Sequence, residues 1–177
     1  MGSHILIAGV GYTYLHDWSV GPKVAAQLMG RDFPPGVVIA DWSFGPLDAV
    51  WHLKEEKPPF DRVVFFGSQD RGKTPGTVTR HVWSKAELPD VDGIQGAIGE
   101  SISGVISLDN LVFVCGAFDA LPAEVILFEV EPTPDQSFGD GFSPEVEAAI
   151  PVLVRYIEEE AGLEETAAPA APQGQVQ

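Results

Sequence analysis

Residues 5–28, ILIAGVGYTYLHDWSVGPKVAAQL, set the strongest constraint on the fold. An apolar run with β-branched residues, Ile5–Ala8, ends in Gly9-Val10-Gly11. A loop follows, and Ser19-Val20-Gly21-Pro22 then opens a segment with helical apolar periodicity. That order is strand, loop, helix, the opening half of a βαβ unit. In sheets built from such units, ligands sit beyond the carboxyl ends of the strands, so this loop is the first place to look for function. Its contents, Tyr12, Tyr14, His16, Asp17 and Trp18, are unusual for an active site.

The alternation continues. The first strand covers about 4–9 and a helix about 19–30, with Ser19 as N-cap and Pro22 tolerated in the first turn. Residues 36–41 (GVVIAD) form a near-continuous apolar run, as a buried parallel strand does. Residues 44–54 read as a short helix, 61–67 (DRVVFFG) as a third strand, and 77–83 (TVTRHVW) as an exposed or edge strand. Four glycines between 89 and 104 argue for loop or broken helix. Residues 107–117 are expected to be helical and 124–131 (EVILFEVE) a strand. Ser143-Pro144-Glu145 is a strong helix start, with Pro151 expected to kink that helix before it ends near Ala161. The prediction is a three-layer α/β/α sandwich around a mostly parallel sheet of about five strands. It occupies residues 1–162, and the Ala/Pro/Gln-rich residues 163–177 are expected to be disordered.

Composition excludes several function classes. With 26 acidic against 10 basic residues the net charge is −16, which disfavours nucleic acid and anionic membrane surfaces as partners. No apolar run reaches the ~20 residues that span a bilayer. The single cysteine, Cys115, permits no internal disulfide and fits a reducing cytoplasm. It lies in an apolar segment, LVFVCGA, as a core residue does.

Recognisable catalytic motifs are scarce. Gly9-Val10-Gly11 suggests a dinucleotide fingerprint, but Tyr14 stands where the third glycine belongs, and the helix starts too late to meet a phosphate. There is no Gly-x-Ser-x-Gly elbow and no HExxH, HxH or CxxC spacing. Asp17 and Asp41 each lie at or beyond the end of a predicted parallel strand, adjacent strands would bring them to one face, and His16 and Asp70 are candidates to join them. Carboxylates plus imidazole suit zinc or nickel, although this spacing specifies neither. Trp18 and Trp42 fall beside the two aspartates, where aromatic rings fill a pocket or anchor a partner.

Five stretches, in this order, resemble the hydrogenase maturation endopeptidases, which process the C-terminal extension of the nickel–iron hydrogenase large subunit. They are ILIAGVG…LHDWSVGPKVAAQL, VIADWSFGPLDAVWHL, DRVVFFGSQDRGKTPGTVTRH, LPAEVILFEVEP and FSPEVEAAIPVLVRYI, and together they span about 5–160. The resemblance implies a phosphorylase/hydrolase-like α/β domain and a hydrogenase large subunit, or its precursor, as partner. It also implies three metal ligands, which this sequence lacks. The acidic ligand after Asp17 is Trp18, the aspartate ending the third strand is counted onto Phe66, and the histidine before Ser107-Leu108 is counted onto Gly104. No histidine follows residue 81.

The expectation is therefore a protease-like protein without catalysis and without a metal cofactor of its own, binding a large subunit or related assembly partner. Its pocket would be formed by His16, Asp17, Trp18, Asp41, Trp42, Phe66, Asp70 and Gly104. One alternative is an active endopeptidase with displaced ligands among His16, Asp17, Asp41 and Asp70, with nickel arriving on the partner. Another is a small-molecule binder lined by Tyr14, Trp18 and Trp42, since a fold does not fix a function.

Overall fold

The computed structural model describes residues 3–163, so the tail expected to be disordered lies, from residue 164 on, outside the described residues. Five strands, β1 (Ile5–Gly9), β2 (Val37–Asp41), β3 (Arg62–Ser68), β4 (Val78–Trp83) and β5 (Glu124–Val130), form one sheet in the order β2-β1-β3-β5-β4. All neighbours are parallel except β4, which pairs antiparallel with β5 at the edge. The helices are α1 (Val20–Met29), α2 (Pro46–Glu55), α3 (Val91–Ile102), α4 (Leu108–Ala117) and α5 (Pro144–Glu160).

Strand alternation builds two cores. Ile5, Ile7, Val64, Phe66, Ile126 and Phe128 face one side and pack with α1 and α5 through Val24, Leu28, Val146, Leu153 and Ile157. Leu6, Ala8, Val63, Phe65, Val125 and Leu127 face the other side and pack with α2 and α4 through Ala49, Leu53, Leu111 and Cys115. Helices on both faces force the inner strands to be apolar throughout. This is the expected three-layer sandwich.

Several details depart from the sequence reading. The strand at 37–41 is an edge, not a buried strand: Val38 and Asp41 are exposed, because only β1 pairs with it. Residues 91–102 form a continuous helix despite three glycines. Asp90 caps it by accepting from Gly93 N at 2.9 Å, and Ala97 and Ile98 press onto the α4 side of the core. Packing of that apolar face outweighs the roughly 1 kcal/mol that each glycine costs a helix. Helix α5 runs unbroken through Pro151. Gly9 is needed for close approach rather than for a turn: a Cβ there would lie 2.1 Å from Gly21 O, in the first turn of α1.

Candidate functional site

Strand order reverses between β1 and β3, because β2 lies on one side of β1 and β3 on the other. The crevice beyond their carboxyl ends is the expected ligand position in such a sheet. A cavity of about 310 Å³ lies there, lined by Tyr12, Leu15, Trp18, Val105, Ile106, Ser107 and Gln136. The Tyr12 hydroxyl accepts from Ile106 N at 2.7 Å, so the loop after β1 is fastened to the α3–α4 connection. The Trp18 indole N–H is buried without a hydrogen-bond partner among the described residues.

Asp17 is a fully buried carboxylate at this end of the sheet. One carboxylate oxygen accepts from Thr133 N at 2.9 Å and from Thr133 Oγ1 at 2.6 Å. The other accepts from Ser143 N at 2.7 Å. Its backbone carbonyl accepts from the Ser68 hydroxyl. Burial works to raise the pKa of Asp17. The Thr133 side chain, the Ser143 and Thr133 main chains and the Ser143 side chain outweigh it and hold the carboxyl below its ordinary value. Asp17 therefore ties together the loop after β1, the end of β3, the loop after β5 and the start of α5.

The other predicted site residues separate. His16 sits at a left-handed φ of 45°, donates its N–H to Gly139 O at 3.2 Å, and has Nδ1 3.3 Å from Gly141 O. Asp41 is exposed and lines a neighbouring cleft, with one oxygen accepting from Ser43 N at 2.9 Å. Asp70 is exposed and accepts from Gly72 N at 3.0 Å. Trp42 belongs to the core, with its ring 5.7 Å from Phe65. Phe66 is also core, on the α1–α5 side. The β3 position that faces the α4 side is Gly67, and a Cβ there would stand 2.2 Å from Val10 O and 3.9 Å from Leu108. Gly104 follows α3 with φ +85° and its Cβ direction open to space. Ser19, expected as an N-cap, instead accepts from Leu15 N at 3.0 Å.

These positions do not fit a metal. The ligand positions counted from the sequence hold an indole, a core phenyl ring and a glycine, none of which offers an oxygen or imidazole. Among the described residues no three His, Cys, Asp or Glu side chains converge to hold an ion. Cys115 supplies no nucleophile, since burial pushes its thiol up to about 12.

Two features of this end were not found in the sequence. Thr133 and Ser143 as partners of Asp17 leave no sequence signal, because they are 116 and 126 residues away. The second is a carboxylate cluster around Arg71. Its guanidinium donates to Glu129 at 2.5 and 3.1 Å and to Asp109 at 2.7 and 2.9 Å, while its backbone N–H donates to Glu131. Two acids at the end of an apolar strand were a legible sign that a cation must meet them.

No family model and no curated protein matches the chain in sequence. Solved structures match it in fold. The hydrogenase 2 maturation peptidase from a Thaumarchaeota archaeon is 25% identical, with 92% of this chain and 100% of that one aligned at a TM-score of 0.62. An endopeptidase from Escherichia coli is 22% identical over 91% and 95% of the two chains at 0.68. The hydrogenase maturating endopeptidase HybD from E. coli is 20% identical over 90% and 94% at 0.65. The chain thus carries, over nearly its whole length, the fold of the hydrogenase maturation endopeptidases, the family its sequence resembles.

Proposed function

We propose that this protein is a non-catalytic relative of the maturation proteases that binds a nickel–iron hydrogenase large subunit, or a related assembly partner, without cleaving it. One observation carries the reading: Asp17, the acid retained from the family pattern, is fully buried and consumed by three hydrogen bonds from Thr133 and Ser143. A carboxylate so engaged is a structural anchor, not a free ligand or base. Around it the switch-point crevice is lined by Trp18, Tyr12 and Ile106, an aromatic and apolar surface suited to holding a protein segment. Gly67 adds to this, because Val10 O leaves no room for a side chain from β3 on that side.

The test is co-elution and cleavage in one tube. The purified protein is incubated with the nickel-loaded large-subunit precursor and separated by size exclusion. The reading requires a joint peak whose precursor runs at full length. A shortened precursor would establish the active peptidase instead, and two separate peaks would remove the large subunit as partner.

A further inference from the structure

Beside the switch-point crevice, residues 12–19 and 132–143 are joined by main-chain bonds: Gly139 N donates to Tyr14 O at 2.8 Å and His16 N to Gly139 O. This pairing raises two aromatic rings into solvent. Tyr14 is 56% and Phe138 82% exposed, with ring centroids 5.8 Å apart. Tyr14 also borders a cleft of about 520 Å³ with Thr13, Pro22, Lys23, Asp41 and Asp140. Lys23, the one cation among the described residues that line the cleft, is already taken: its ammonium pairs with Asp140 and lies 5.1 Å from the Phe142 ring centroid. Asp41 keeps one oxygen without a hydrogen-bond donor among the described residues.

Lys23 shows what this surface does with a positive charge: a carboxylate on one side, a ring face on the other. Tyr14 and Asp41, which line the same cleft, offer the same two groups, a ring backed by Phe138 and a carboxylate, in a chain of net charge −16. The geometry points to a docking site for an arginine side chain of a partner protein, its guanidinium stacked on Tyr14 and paired with Asp41, with Phe138 holding the Tyr14 ring in place. A guanidinium suits the site better than an ammonium, because its plane lies on a ring while its edge meets a carboxylate. The site lies at the same end of the sheet as the proposed partner surface and rests on that reading only for who supplies the arginine.

The probe is the peptide acetyl-Gly-Arg-Gly-amide, titrated into the full-length protein and followed by NMR. Its neutral isostere with citrulline in place of arginine is the control. Saturable shifts of the Tyr14 and Phe138 ring signals are expected, about tenfold weaker with citrulline, which loses both the cation–π contact and the ion pair with Asp41. Tyr14→Ala with Phe138→Ala should weaken binding about threefold, the one cation–π contact and the ring that backs it being removed. Asp41→Asn should weaken it about threefold. All three side chains are on the surface, and an unchanged spectrum of core methyl groups confirms folding in each variant. Equal binding of the two peptides, or shifts that map away from Tyr14, would overturn the assignment. Failure of the large-subunit complex alongside a normal peptide titration would refute the proposed partner and leave this site standing.

Discussion

Replacing Asp17 by Ala removes the acceptor for two main-chain N–H groups, those of Thr133 and Ser143, and for the Thr133 hydroxyl. The hydroxyl can turn to another acceptor, but the two N–H groups cannot. A buried donor left unpaired costs about 1–3 kcal/mol. Thr133 and Ser143 are half-buried, so water recovers part of this. The expected loss is about 3 kcal/mol, near the lower half of the summed range. For a domain of this size that lowers Tm by about 6–12 °C. Asp17→Asn keeps an acceptor oxygen but turns an NH₂ group toward a donor, and should cost nearly as much. Urea unfolding followed by circular dichroism reads the loss, and amide hydrogen exchange at Thr133 and Ser143 locates it. If Asp17→Ala leaves Tm within about 2 °C of the wild type, or leaves both amides protected, then Asp17 does not hold these loops and the structural assignment of this acid fails.

The same residue sets a pH dependence. Its folded pKa is depressed, so its contribution is complete above the unfolded value of about 3.9 and is lost as pH falls through the folded one. Wild type and Asp17→Asn should therefore differ by a constant stability above about pH 5 and converge in stronger acid; a gap unchanged at pH 2 would contradict this. Gly67→Ala places a methyl 2.2 Å from Val10 O and should cost about 3 kcal/mol in urea unfolding, whereas neutrality would mean that β1 and β3 can part at this point. Arg71→Met leaves Glu129 buried and unpaired and should destabilise by about 2–3 kcal/mol, less than for a fully buried pair because Arg71 is one-third exposed. Trp18→Glu returns a carboxylate to the ligand position that the resemblance implies and should still bind no nickel in calorimetry, because the other two positions counted for ligands hold Phe66 and Gly104.

The layer order and most of the strands and helices were legible because their signal is local. Period-two and period-3.6 apolar patterns mark β1, β3, β5 and α5, and Ser143 indeed caps α5, its hydroxyl accepting from Val146 N at 3.3 Å. The helix at 91–102 was hidden because its glycines lower local propensity, and only contact with α4 shows why it forms. Exposure of β2 was hidden for a related reason. An apolar strand looks the same in sequence whether one or two strands flank it. At the site, the positions that differ from the family pattern could be counted, but their directions could not. Phe66 and Gly67 are neighbours in sequence and point to opposite layers, so a one-residue shift in counting exchanges a core ring for the strand-end position. Asp17 was visible as an acid at a strand end. Its partners lie more than a hundred residues away, so only the fold shows that it is an anchor.

Native mass spectrometry of this protein mixed with the nickel-loaded large-subunit precursor tests the central claim most directly, because one spectrum reports both complex formation and the precursor's mass. The account predicts a complex whose precursor keeps its C-terminal extension and its full mass. A precursor lighter by that extension would contradict it and would require a catalytic centre in a crevice lined by Trp18 and backed by Gly67.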